Sequence, residues 1–253
     1  MKKLICVLGI LFSVLLTVTP VQAAEPAPVY ELRIYTVHPG KMPDMLARFK
    51  NHTTKIFERH GMVNVGYWVP VEQKDGDKLY YILKHKSRAA AEVSWKAFGD
   101  DPEWVKVRTA SEANGPIVQG VESVFLAPAD YSPEKFKLAG KHIFELRTYT
   151  TNDDKLSTLD TRFREHTIKL FAKHGMTNIA YWHPTDADKG SANTLIYLLA
   201  HKDRDAATQS WANFIADPEW IKVRDASQIN GKILIENGIK SVFMNPTDFS
   251  RLH

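Results

Sequence analysis

From residue 29 the chain alternates apolar and polar side chains, so residues 29–37 predict a strand with Glu31, Arg33 and Tyr35 on one face and Leu32 and Ile34 on the other. The period then changes. Met42, Met45, Leu46, Phe49, Ile56 and Phe57 recur at helical spacing, which predicts a helix over 41–60 that Gly61 stops. Residues 63–70 and 78–86 read as two strands around the turn-rich stretch Glu72 to Asp77, where Asp75-Gly76 is a hairpin signal. A second helix begins near Ser87, pauses at Gly99 and restarts at Asp101, an N-cap with Pro102 at the first helical position. Residues 117–127 predict a fourth strand, and 128–141, with two prolines and several charges, a connector.

The same pattern then returns. Tyr30-Glu-Leu-Arg33-x-Tyr35-Thr36 is matched by Phe144-Glu-Leu-Arg147-x-Tyr149-Thr150, and His60-Gly-Met62 with Tyr67-Trp68-x-Pro70 by His174-Gly-Met176 with Tyr181-Trp182-x-Pro184. At an offset of 114 residues, 30–70 and 144–184 agree at 19 of 41 positions without a gap. Asp101-Pro-Glu-Trp104 and Arg108 return as Asp217-Pro-Glu-Trp220 and Arg224. A period this long is a duplicated domain rather than a solenoid repeat. The expected division is a leader over 1–23, a first domain over 24–132, a linker over 133–143 and a second domain over 144–253.

Each copy reads as βαββαβ, the order of a ferredoxin-like unit with both helices on one face of a four-stranded sheet. The other face is left bare, and two copies in one chain can cover each other. The fold class expected is therefore α+β: two tandem ferredoxin-like units forming an intrachain pseudo-dimeric α+β barrel.

Ahead of the first copy, Lys2 and Lys3 precede an apolar run from Leu4 to Leu16, then Pro20 and Val21-Gln22-Ala23. This is the order of a secretory signal cut after Ala23, and the apolar run is shorter than the roughly 20 residues of a spanning helix. A periplasmic or secreted protein without a membrane span after cleavage is expected. Cys6 is the only cysteine, so the mature chain would have neither disulfides nor thiolate chemistry. With 33 basic residues against 29 acidic ones, two of the basic ones in the leader, charge gives no reason to expect nucleic acid.

The motif set Tyr30-Glu-Leu-Arg-x-Tyr-Thr36, Pro39-Gly40-Lys41, His60-Gly-Met62, Tyr67-Trp68 and Asp101-Pro-Glu-Trp104 with Arg108 resembles the NIPSNAP family. The resemblance runs through both copies and implies a dimeric α+β barrel fold. It implies no agreed catalytic residues. The second copy departs from the pattern where Asn152, Asp153 and Asp154 replace His38-Pro39-Gly40.

Candidate chemistry follows from the strand alternation. If Leu32 and Ile34 face the helices, then Glu31, Arg33 and Tyr35, and likewise Glu145, Arg147 and Tyr149, face the barrel interior, where the ionic groups must pair. Such a set is either a structural ion pair that fixes how the halves dock, or a pocket in which an arginine holds an acidic ligand and a tyrosine or glutamate moves a proton. His52 and His166 fall on the apolar stripe of their helices and are candidates to line a cavity. His60 and His174 are expected to cap helix ends, and His85 and His201 to be exposed. Trp68 and Trp182 are candidates to stack on a planar ligand, whereas Trp95, Trp104, Trp211 and Trp220 are expected to be packing residues. No phosphate-binding glycine loop and no Gly-x-Ser-x-Gly elbow occurs, and no metal site is expected. No cofactor is predicted, with haem left open by fold analogy alone. Two functions remain: a protein that binds or transforms a small molecule in a polar pocket, and a non-catalytic interaction module of the cell envelope. Further self-association into a homo-oligomer is left open.

Overall fold

The computed structural model describes residues 27–72, 76–135 and 138–253. The leader over 1–23 and Asp75 of the expected hairpin signal lie outside the described residues. The first copy runs β1 (Val29–Val37), α1 (Met42–Arg48), a π-helical turn (Phe49–Thr53), α2 (Thr54–Arg59), β2 (Val63–Pro70), β3 (Lys78–His85), α3 (Arg88–Gly99), α4 (Pro102–Ser111) and β4 (Val118–Pro128). The second runs β5 (Ile143–Thr151), α5 (Leu156–Arg162), a π-helical turn (Phe163–Thr167), α6 (Ile168–Lys173), β6 (Thr177–Pro184), β7 (Thr194–His201), α7 (Arg204–Ala216), α8 (Pro218–Ser227) and β8 (Leu234–Pro246). The break between α3 and α4 falls where the sequence places it. Asp101 Oδ1 accepts the Glu103 N–H at 2.8 Å, and Asp217 does the same for Glu219 at 2.8 Å.

The strands close into one antiparallel barrel in the order β1-β3-β2-β8-β5-β7-β6-β4. Within each copy the order is that of a ferredoxin-like sheet, and the copies meet along two short seams. Trp68, Val69 and Pro70 of β2 pair with Pro246, Asn245 and Met244 of β8, while Leu126, Ala127 and Pro128 of β4 pair with Pro184, His183 and Trp182 of β6. Every strand at a seam carries a proline there. Proline has no N–H for a ladder, and in each case the next residue supplies one. Val71 N donates to Phe243 O at 2.8 Å, Ala129 N to Tyr181 O, Thr185 N to Phe125 O and Thr247 N to Tyr67 O, all at 2.9 Å. These four bonds extend both seams past their prolines and remove the edges that an open sheet would present.

The barrel interior is apolar. Leu32, Trp68, Tyr80, Ile82 and Leu126 of the first copy interlock with Phe144, Leu146, Trp182, Leu198 and Met244 of the second. The Trp68 ring lies 5.5 Å from Phe144 and the Trp182 ring 5.7 Å from Tyr30. Two further cores, one per copy, fill the space between the outer sheet face and its helices: Met45, Phe49, Phe57, Tyr67 and Tyr81 in the first, Leu159, Phe163, Phe171, Tyr181 and Tyr197 in the second.

This arrangement reverses the expected facing of β1 and β5. Leu32 and Leu146 point into the barrel, whereas Glu31, Arg33, Tyr35, Glu145, Arg147 and Tyr149 point outward, beneath the helices. The reason is the supply of hydrogen-bond donors. The interior, lined mainly by aliphatic and aromatic groups, has no arginine to pair with a carboxylate, while on the outer face arginine, imidazole and hydroxyl donors from the strands meet an indole donor from the helix layer. Among the described residues no helix is long and apolar enough to cross a membrane.

Gly66 tests the tightness of the interior. A Cβ built there would overlap the Trp68 indole, although the second copy has Ala180 at the equivalent position. Gly66→Ala should cost about 1–3 kcal/mol by overpacking in urea unfolding, and Trp68→Phe should remove most of that extra cost in the double variant. Additive costs in the double variant would show that the indole is not what Gly66 accommodates.

Candidate functional site

The outer face of β1 carries one carboxylate with four donors. Glu31 Oε1 accepts from Arg33 Nη1 at 2.6 Å and Ser123 Oγ at 2.7 Å, and Oε2 accepts from Trp95 Nε1 at 2.7 Å and His85 Nε2 at 3.0 Å. Strands β1, β3 and β4 and helix α3 therefore meet on a single side chain. The second copy repeats it: Glu145 accepts from Arg147 at 2.5 Å, Ser241 at 2.6 Å, Trp211 at 2.7 Å and His201 at 3.0 Å. Each arginine lies flat on its tryptophan, 4.2 Å from the ring centre in both copies, and donates a further bond to Tyr35 or Tyr149. A carboxylate can only accept, so the facing nitrogen of each histidine carries the proton.

His85 and His201 thus correct their expected exposure, being 2% and 1% exposed. Alternation along β3 was the signal that would have found them, because His85 shares a face with Leu79, Tyr81 and Leu83. The network also decides what Glu31 and Glu145 do. Burial alone pushes a carboxyl up, but the histidine hydrogen bond, the arginine charge and the serine and indole donors outweigh it and hold both at about 2. A carboxylate ionised throughout the neutral range, with both oxygens occupied by two donors each, is not available as a general base. It is a clamp between sheet and helix layer, not between the two halves of the barrel.

The other candidates fall elsewhere. Trp68 and Trp182 are barrel core. His60 and His174 do not cap carbonyls: their Nε2 atoms meet Asp101 and Asp217 Oδ2 at 2.7 Å, tying the end of one helix to the N-cap of another. His52 is exposed, and the His166 side chain is 43% exposed. The π-helical turns are the cause. A turn with i to i+5 bonds is wider than an α turn, so it places Thr53 and Thr167 inward where the α period would place His52 and His166. The Thr53 hydroxyl donates to Arg48 O at 3.2 Å and that of Thr167 to Arg162 O at 3.1 Å, so each inward threonine is satisfied within its own turn.

Immediately before each π turn stands a residue that periodicity did not single out. Arg48 and Arg162 are 4% and 6% exposed, and each guanidinium lies over a tryptophan, Trp104 at 5.3 Å and Trp220 at 5.1 Å. Their partners differ. Arg48 donates to Glu112 Oε1 at 3.0 Å and Ser111 Oγ at 3.2 Å, whereas Arg162 donates to Ser227 Oγ at 3.2 Å and, among the described residues, has no carboxylate within ion-pair distance. The sequence substitutes Gln228 where the first copy has Glu112. Burial, and after it the charge of Arg224, pushes the Arg162 guanidinium below its ordinary pKa.

Beside Arg162 is a cavity of about 180 Å³ between β5, β8 and the helices. Tyr149, Phe163, Phe171, Phe214 and Trp220 wall it, Arg162, Arg224 and Gln228 give it polarity, and Ile239 stands at its edge. A groove of about 520 Å³, lined by His166, Glu165, Lys222 and Ser227, runs outside between α5 and α8. Arg162 borders both spaces. Tyr149 is thus the one member of the predicted second-copy set to line the cavity, and His166 reaches the outer groove; in the first copy His52 lies with Arg48 in a comparable groove of about 660 Å³.

Two helix layers around an eight-stranded barrel built of paired ferredoxin-like sheets define the dimeric α+β barrel class. Solved structures agree. A candidate monooxygenase from Fusobacterium nucleatum subsp. nucleatum superposes with a TM-score of 0.58 at 11% identity, covering 87% of this chain and 93% of its own. A candidate monooxygenase from Lactobacillus acidophilus gives 0.57 at 12% identity over 87% and 94%, and a candidate chlorite dismutase 0.50 at 13% over 88% and 96%. At such identities the likeness is one of fold. No curated protein matches the chain. The NIPSNAP family model matches twice, over residues 30–133 and 144–251, and the chain belongs to the NIPSNAP family.

The clamp predicts an acid limit. A carboxyl held at about 2, against an ordinary value of 4.5, adds stability that is complete above the unfolded value and is lost as pH falls through the folded one, roughly 3 kcal/mol per group. Stability should be flat down to about pH 5 and fall steeply toward pH 2. Glu145→Gln, which leaves Arg147 buried without its partner, should cost about 3–5 kcal/mol and flatten part of that acid limb in urea titrations. An unchanged limb would assign the acid sensitivity to other carboxylates.

Proposed function

We propose that this NIPSNAP protein is an exported small-molecule-binding protein whose ligand sits between sheet and helices of the second copy, not in the barrel lumen. The observation that carries the reading is the cavity beside Arg162, walled by aromatic rings, bordered by two guanidiniums and sharing Arg162 with an outer groove. A few convergent polar groups in an otherwise apolar hollow are the usual make-up of a ligand site. The lumen is packed around Trp68, Phe144 and Trp182; a second hollow of about 580 Å³, bordered by Tyr30, Trp182 and Leu198 of that core with Lys84 and Asp130, lacks a buried guanidinium and is the rival space. Fold neighbours whose names point to small-molecule chemistry are compatible with this reading.

The activity proposed is binding. Glu145 is locked by four donors, and the Tyr149 hydroxyl already accepts from Arg147 at 3.2 Å, so the groups nearest the cavity are committed to structure. Export is supported by the Lys2-Lys3 start, the apolar run to Leu16 and the small residue Ala23, and by a chain whose single cysteine, Cys6, would leave with the leader.

Both parts are testable. In thermal unfolding of the mature chain against a panel of neutral, anionic and cationic aromatic compounds, short-chain lipids and haem, at least one class should raise Tm in a concentration-dependent way. Ile239→Trp, at the half-open edge of the cavity, should abolish that shift without lowering the Tm of the free protein by more than a few degrees. A panel without any shift, or a shift indifferent to Ile239→Trp, would refute the site. For export, N-terminal sequencing of the periplasmic or secreted protein should read from Ala24; an intact Met1 would refute it.

A further inference from the structure

We infer that the cavity of the second copy takes the carboxylate of a small aromatic acid, with Arg162 as its counter-ion, and that in the first copy the Glu112 carboxylate of the protein itself holds the corresponding post. The inference rests on the site proposed above and adds the class of ligand.

The argument starts from charge. Arginine keeps its proton in proteins, so Arg162 is a buried cation. A buried cation needs an anion, and Arg48 has one in Glu112 at 3.0 Å. The carboxylates that share the outer groove with Arg162 pair with other residues, Glu219 with Lys173 at 3.3 Å and Glu165 with His166 at 3.8 Å, and Asp225 pairs with Arg224 at 2.8 Å. Trp220 supplies ring electrons but no charge. The Nε atoms of Arg48 and Arg162 are both buried without an acceptor, so the copies differ at the carboxylate and not at Nε. Gln228 leaves the post neutral, and its Oε1 accepts the Ile233 N–H at 3.4 Å, which turns the NH₂ end free to donate. A guanidinium fork and an amide donor on one small hollow match the two oxygens of a carboxylate.

The rest of the hollow sets the body of the ligand. Phe163, Phe171, Phe214 and Trp220 favour a ring over a hydrated ion, and a space of about 180 Å³ is close to the roughly 150 Å³ that encloses a benzene ring. Benzoate is the simplest molecule with both features.

The experiment uses the mature full chain with benzoate, the neutral isostere benzamide, and acetate, read by Tm shift and by isothermal titration. Benzoate should bind with one equivalent per chain, benzamide and acetate each at least tenfold more weakly. Gln228→Glu, which places a carboxylate beside Arg162 as in the first copy, should weaken benzoate at least tenfold and raise the Tm of the ligand-free protein. Equal binding of benzamide would overturn the role of the charge, equal binding of acetate the role of the ring walls, and undiminished benzoate binding in Gln228→Glu the assignment to Arg162. If benzoate fails while another class in the panel gives a shift that Ile239→Trp removes, the acid is wrong and the site stands. If no compound shifts Tm, both fall together.

Discussion

A four-stranded sheet with helices on only one side cannot stand alone in water, and the architecture of this chain follows from covering its second face. The solution is intramolecular. Two copies turn their bare faces toward each other, and Leu32, Trp68, Phe144 and Trp182 exclude water from the space between them. Closure then depends on seams of only three residue pairs each, extended by one backbone bond past each proline. Because the seams are short, cohesion comes from the apolar interior rather than from the ladder that joins the halves. The interior is largely given over to that task, and the buried charged groups are displaced to the space beneath the helices.

That displacement explains what the sequence revealed and what it hid. The strand and helix periods, the Asp101 and Asp217 caps and the duplication were all legible, because each is a local pattern with a local cause. Alternation showed that Glu31, Arg33 and Tyr35 share a face, yet it is silent on which face is inside. That depends on where donors such as Trp95, His85 and Ser123 arrive from other elements. His52 and His166 were misplaced by a different cause, a π turn that a 3.6-residue period does not register. Arg48 and Arg162 were invisible because a charged residue on a helix reads as solvated, and only the tertiary approach of Trp104 and Trp220 shows that they are enclosed.

The two copies then separate what is structural from what is free to vary. The Glu–Arg–Trp–His–Ser clamp is the same in both, atom for atom, and it ties each sheet to its third or seventh helix. A feature held twice with one geometry, and saturated in its hydrogen bonds, is explained by folding alone. Where the copies differ, folding gives no such account. Gly66 against Ala180 is a matter of fit beside a tryptophan. Glu112 against Gln228 removes the charge that a half-buried carboxylate, 29% exposed, sets against a buried arginine, a change in local charge and not only in fit.

A chain under pressure for stability alone would keep the carboxylate at residue 228, since the first copy demonstrates that the fold accommodates it. Replacing it leaves Arg162 with a serine hydroxyl and an indole face in place of a counter-ion, and burying such a cation costs more than those neutral contacts return. Local departures from the rule that buried charges are paired concentrate where a protein does something besides fold. Arg162 meets that description in position as well as in energy, because it borders both the half-open cavity and the outer groove. An unpaired cation at that junction lowers the free energy of an entering anion, whereas its paired counterpart Arg48 is neutralised from within. Duplication supplied two buried arginines in equivalent posts, and the side chain at 112 or 228 decides which of them is left open to an anion from outside.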